Sequence, residues 1–314
     1  MTSSGHEVRV VATAVGFSEG PVFTQDGRIL FVSIDLGNLY AVEGANPESE
    51  PELVRLASTA CGLNGATEGR DGRVYLAHNG GRGGSCRGLR SSTGGVQVYH
   101  PEGMVSWLTT DPISPNDLAF GPDGLLYVTD PTRRPSRDDG RIFRVDVQTG
   151  IAELLCSVPW YPNGIAFGPE DDAVYVADSL RGQILRFPFT SEGLDKEELV
   201  VQLEHGRPDG FCFDTEGNVV VAAIGDDGEP GGIQTWSRDG RLLDVFDPQL
   251  GQVVTNVAIS ADRRCVITAA GAGKVVVVDG WPTAGLALHP FRSNDSGDVP
   301  SNVSSNFSSN FSSN

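Results

Sequence analysis

The chain has 314 residues, 39% of them hydrophobic, with 40 glycines and 19 prolines spread along its length. This suits one all-β domain of many short strands and turns. A formal net charge of −18 argues against nucleic acid or an anionic membrane as the main partner. No apolar run approaches the roughly 18 residues that a membrane-spanning helix needs, and the first residues show no basic segment followed by an apolar one, as a secretory signal would. Cys61, Cys86, Cys156, Cys212 and Cys265 are widely spaced, odd in number and free of CxxC pairs. They read as reduced thiols, which places the protein in the cytoplasm.

In chain order, a β-branched segment at 8–13 comes first and belongs to no repeat. Six related segments follow: EGPVFTQDG at 19, NGATEGRDG at 64, NDLAFGPDG at 116, NGIAFGPED at 163, DGFCFDTEG at 209 and NVAISADRR at 256. Each opens with a carboxylate or amide residue. Phenylalanine stands four positions later in four copies (Phe23, Phe120, Phe167, Phe213), and Asp26, Asp71, Asp123 or Glu216 precedes a glycine at the predicted hairpin turn. A second strand is predicted after each turn, at 28–33, 74–78, 125–130, 173–178, 219–223 and 265–269. A third often follows, as in GRIFRVD from 140 or GKVVVVD from 273. The openers recur every 45 to 52 residues, a period that defines an all-β, six-bladed β-propeller over residues 1–292. The sixth copy runs short of an outer strand, and residues 8–13 can supply it and close the ring. Residues 293–314 repeat Ser-Ser-Asn-Phe, cannot build a core, and read as a disordered tail.

The innermost strand of a blade lines the channel, so the openers Glu19, Asn64, Asn116, Asn163, Asp209 and Asn256 are expected to ring one channel mouth. A lone Asn-Gly or Asp-Gly pair is more often a turn, but here the hairpin lies seven residues further on. Two carboxylates and four amides are hard oxygen ligands, with neither Cys nor His among them. That disfavours zinc and points to calcium or magnesium, calcium tolerating the less regular coordination better.

These residues also carry a resemblance. Phe17-Ser-Glu-Gly-Pro-Val-Phe23, Pro115-Asn-Asp-Leu118, Pro162-Asn-Gly-Ile-Ala-Phe167 with Val174-Tyr-Val-Ala-Asp178, and Pro208-Asp-Gly210 resemble the SMP-30/gluconolactonase/luciferin-regenerating family, which is related to diisopropylfluorophosphatase. The resemblance spans all six repeats. It implies one divalent ion, calcium first and magnesium or manganese next, held by Glu19, Asn163 and Asp209, with Asn116 a further ligand or a substrate contact. It also implies lactone hydrolysis, with phosphotriester hydrolysis as a side activity. One departure is Ser114, where animal gluconolactonases of this family place an arginine that touches sugar hydroxyls.

Around the mouth, Asn64, Asn116, Asn256, His78, Asp130 and Asp178 are candidate substrate contacts. For Asp130 and Asp178 a turn-capping role is the stronger reading. Two loops bring Arg82, Arg87, Arg90, Arg133, Arg134 and Arg137, which can steer an anionic small molecule or simply be solvated charge. Aromatic walls can come from Phe17, Trp160, Tyr161 and Phe211. The expected reaction is metal-assisted hydrolysis, with Asp209 as the catalytic carboxylate. The rivals are a metal-independent biosynthetic propeller resembling strictosidine synthase and a non-enzymatic ligand-binding propeller.

Overall fold

Each Asp-Gly pair of the repeat builds the turn its chemistry suggests. Gly27, Gly72 and Gly124 have φ of 85°, 73° and 77°, the left-handed region that glycine enters without penalty. The turn folds the innermost strand back onto the second, as in Ser18–Phe23 with Ile29–Ser33. Asp71 and Asp123 serve twice, since each also accepts the hydroxyl of the tyrosine four residues on, at 3.0 Å. Third and fourth strands add antiparallel, and the same four-stranded order recurs in blades one, two, three and five. The fourth blade adds a two-residue strand, Gly193–Leu194, against its third.

The computed structural model describes residues 7–46, 48–82, 93–133, 139–191, 193–226 and 228–292. Among them the only helical element is a single 3-10 turn, Ala270–Ala272. Residues 293–314, read as a disordered tail, lie outside the described residues.

The sixth blade contains Asn256–Ile259, Cys265–Ala269 and Lys274–Val278, and its outer strand is Val8–Thr13 from the other end of the chain. Val8 pairs with Val278 and Thr13 with Lys274. Val11, Ala12 and Val15 then join Ile29, Phe31, Tyr40 and Val42 of the first blade and Val275 and Val277 of the last in one apolar cluster. The seam is thus closed by hydrogen bonds along one edge and by packing between blades, leaving no free edge there.

After the last strand the chain crosses the channel end opposite the openers. Gly285 bridges Asp214, Leu286 donates its N–H to Phe213 at 2.9 Å, and Arg292 binds the carbonyls of Phe167 and Gly168 and the Asp171 carboxylate. This strap was not legible in the repeat, because it belongs to no blade.

The reading of five reduced thiols needs correction. Cys61 is disulfide-bonded, whereas Cys156, Cys212 and Cys265 are free; Cys86 lies outside the described residues.

Candidate functional site

All six openers lie where the ladder to the second strand begins. In four blades the pairing slips there, between Glu19 and Val22, Leu63 and Gly65, Pro162 and Ile165, and Pro208 and Phe211. A bulge frees a residue from strict alternation and re-aims its side chain. The glycine after the opener has a separate cause. A Cβ on Gly164 would stand 2.5 Å from the Asp209 carbonyl oxygen, and one on Gly210 would stand 2.0 Å from Asn256 Cγ. The Asn-Gly and Asp-Gly pairs are therefore close-approach devices that let neighbouring inner strands converge, not hairpin turns.

The six opener side chains are 3% to 8% exposed, and their hydrogen bonds divide them into two kinds. Asn256 Nδ2 donates to Glu19 Oε2 at 3.3 Å, and the Gly20 N–H donates to the same oxygen at 3.2 Å. Meanwhile Asn256 Oδ1 is taken by the Val257 N–H. Asn64 Nδ2 donates to Asn116 Oδ1 at 2.7 Å, and Asn64 Oδ1 accepts from Asn79 at 3.0 Å. Asn64 and Asn256 thus act as braces for Asn116 and Glu19. Asn163 gives its Nδ2 to Ser179 Oγ at 2.9 Å, and Ser179 in turn donates to the Pro208 carbonyl. That orientation leaves Asn163 Oδ1 without a donor among the described residues.

The negative charge of the ring is only partly compensated. Burial, then the nearby charges of Asp209 and Asp117, raise the Glu19 carboxyl well above its usual value, with Asn256 and the Gly20 N–H only partly opposing. Burial and Asp117 push Asp209 up to about 7, against hydrogen bonding from Asn163 and the charges of Arg133 and Arg207. Asp117 was missed in the sequence. It follows Asn116, in the place where four other blades have glycine, and a Cβ on Gly65 would come within 2.7 Å of its Oδ1. Burial lifts it to about 7 as well, despite N–H groups of Leu118 and Ile165. The signal available was that break in the glycine column.

Glu19 and Asp209, both buried and raised by neighbouring carboxylate charge, with half-buried Asp117 beside them, form a site for positive charge. Among the described residues no three His, Cys, Asp or Glu side chains converge at metal-binding spacing. A cation here would need amide oxygens beside the carboxylates, which suits a hard divalent ion of calcium type and not zinc.

The polar atoms of His78, Asp130 and Asp178 are engaged by backbone groups and, for the two aspartates, by arginines. His78 is buried, its Nε2 on the Ala60 carbonyl at 3.1 Å and its Nδ1 accepting the Gly80 N–H at 3.1 Å. Asp130 accepts the N–H groups of Ile113, Ser114 and Thr132 at 2.9, 3.1 and 2.9 Å and binds Arg141. It holds in place the segment that leads into Asn116. Asp178 caps Leu180 and Arg181 in the same way. Of the aromatic candidates, Phe211 is in the core and Trp160 is buried with its indole N–H on Glu197. Phe17 and Tyr161 remain half-exposed.

Fold and site together define a six-bladed propeller with one oxygen-lined channel mouth. The SMP-30/Gluconolactonase/LRE-like region matches residues 17–271, and the chain belongs to that family. It is 26% identical over 286 residues to the gluconolactonase of Zymomonas mobilis, covering 79% of this chain and 74% of that one. To the lactonase drp35 of Staphylococcus epidermidis it is 22% identical, covering 74% of each. Two solved structures share the fold. A gluconolactonase from Xanthomonas campestris superposes with a TM-score of 0.71 at 20% identity, covering 88% of this chain and 90% of that one. The calcium-binding protein regucalcin from Agrobacterium tumefaciens gives 0.72 at 18% identity, covering 92% and 98%.

Proposed function

We propose that the chain is a lactonase dependent on one divalent ion, calcium first, opening a small cyclic ester at the mouth of its channel. The observation that carries this reading is the pair of buried carboxylates, Glu19 and Asp209, whose raised pKa values leave them short of positive charge among neutral amide oxygens. The lactonases among its relatives support the same reaction class. Glu19, Asn116, Asn163 and Asp209 would hold the ion, with Asn64 and Asn256 as braces and as the groups nearest to bound substrate. When bound, the ion polarises the ester carbonyl and favours the charge that develops on its oxygen.

The chain's own residues do the rest. Asp209 takes a proton from water while the water oxygen joins the acyl carbon. The acyl–ring oxygen bond then breaks, and the proton passes to the departing ring oxygen as a hydroxyl. The product is a hydroxy acid, which ionises at neutral pH. Asn256 and the Gly20 N–H hold Glu19, and Ser179 holds Asn163, so the oxygens need not reorganise during reaction.

For location, the free cysteines fit a reducing compartment and the disulfide at Cys61 an oxidising one. No described helix is long and apolar enough to cross a membrane. The test is a panel of lactones, aryl esters and phosphotriesters offered to calcium-loaded protein, with metal content measured alongside. Lactone opening with about one calcium per chain is expected. A protein that binds calcium and opens none of the lactones, or that holds zinc, overturns the reading.

A further inference from the structure

At the rim, Thr132 and Arg133 have φ of 50° and 53°. Two successive left-handed residues, neither of them glycine, make a strained backbone that persists only where the surroundings enforce it. Asp130 enforces it by accepting the Thr132 N–H at 2.9 Å. The outcome is that Arg133 folds back over the mouth. Its Nη1 donates to the Ser114 carbonyl, to Ser114 Oγ at 3.0 Å and to the Pro115 carbonyl at 3.3 Å. Its Nη2 donates to Asn64 Oδ1 at 3.0 Å, and the guanidinium lies 5.9 Å from the centre of the Tyr161 ring.

Every one of those acceptors is neutral. Other arginines are paired with carboxylates, as Arg141 is with Asp130, Arg181 with Asp178 and Arg186 with Asp172 and Glu198. Arg133 has no such partner among the described residues, although the chain carries a net charge of −18. With Nη1 and one Nη2 hydrogen used, the Nε–H and the second Nη2–H form an edge with no acceptor among the described residues. That edge is the fork that matches a carboxylate side-on. Arg82 binds the same segment, donating to the Ile113 carbonyl at 3.2 Å, and it too has no carboxylate partner among the described residues. Asn64 links this fork to the ring, because it also donates to Asn116 at 2.7 Å.

We propose that Arg133, seconded by Arg82, is a carboxylate subsite that selects lactones bearing a second, anionic group. A single negative charge is favoured over a phosphate dianion, because Asp209 lies near enough to feel the Arg133 charge. This rests on the lactonase reading.

The test compares γ-butyrolactone with 5-oxotetrahydrofuran-2-carboxylate, the lactone of 2-hydroxyglutarate, in wild type, Arg133→Gln, Arg133→Lys and Arg82→Gln. In wild type the carboxylated lactone should be favoured in kcat/KM by about tenfold or more, the scale of one charge-assisted fork. Arg133→Gln should abolish that preference. Arg133→Lys, which keeps the charge but loses the fork, should keep only part of it, and it decides the matter if the Gln variant fails to fold. Arg82→Gln should reduce the preference about threefold, a weaker ionic contribution. Equal turnover of both lactones by wild type, or a preference untouched in Arg133→Gln, overturns the proposal.

Calorimetry of 2-hydroxyglutarate against 4-hydroxybutyrate separates the two readings. If no lactone is opened but the dicarboxylate binds tighter in an Arg133-dependent way, the lactonase reading falls and the subsite stands. If neither acid is distinguished, the subsite falls, whatever the turnover.

Discussion

Asp130 and Asp178 end second strands, whereas Glu19 and Asp209 begin inner ones. All four are nearly out of water, at 0%, 0%, 4% and 6% exposure. Their surroundings differ sharply. Asp130 accepts three backbone N–H groups and an arginine, and Asp178 accepts two and an arginine. Glu19 accepts one backbone N–H and one amide, and it faces two other carboxylates. A buried carboxylate wrapped by its own loop is a structural cap. One that faces its like across a channel is incomplete until a cation arrives. Burial and residue type are shared by both sets, and compensation is what separates them.

The comparison breaks most visibly at Asp209. Asp209→Asn keeps an oxygen in place but removes the base, so activity should fall by about 10²-fold or more with calcium bound. Steady-state rates at saturating calcium check this. A wild-type rate would make Asp209 another cap. Asp130→Asn should behave in the opposite way, losing about 3 kcal/mol of stability in urea unfolding, since its buried partners lose their charged acceptor. The surviving folded fraction should still turn over substrate. Glu19→Gln lies between the two, since weaker calcium binding should depress activity at low calcium and let excess calcium restore part of it. A loss that calcium titration leaves unchanged would place Glu19 among the structural carboxylates.

How much of this was legible in the sequence follows from the same contrast. Repetition made the architecture readable, because six openers and four acidic-residue–glycine turns point to blades, and the orphan segment Val8–Thr13 had one place to go. It also pointed to the ring, since residues at equivalent positions of equivalent strands share one axis. What repetition cannot show is anything that occurs once. Asp117 breaks a column of glycines, Arg133 reaches the mouth through a left-handed kink, and the strap from Gly285 to Arg292 ties blades together without belonging to one. His78 stands apart for a related reason. Its place at a strand end suggested the mouth, but both ring nitrogens are used by backbone groups brought near only by folding.

The smallest expected effect is on the pH dependence of stability, and its sign is set by the ring carboxylates. Asp209 and Asp117 move from an ordinary 3.8 up to about 7 in the folded chain, and Glu19 also rises. Between those values the folded chain binds more protons than the unfolded one, so stability must fall as pH rises from about 4 to about 7. Carboxylates held low contribute with the opposite sign. Asp239, which accepts the Ser237 hydroxyl, is one, but its window lies below the ordinary carboxylate value. A divalent ion keeps Glu19 and Asp209 ionised and paired, so calcium should flatten the decline and raise the melting temperature more at pH 7.5 than at pH 5. The difference between melting curves with calcium and with chelator, taken across this range, isolates the ring, because the caps contribute equally to both. A difference that shrinks as pH rises would mean that the ring carboxylates are already paired without a cation.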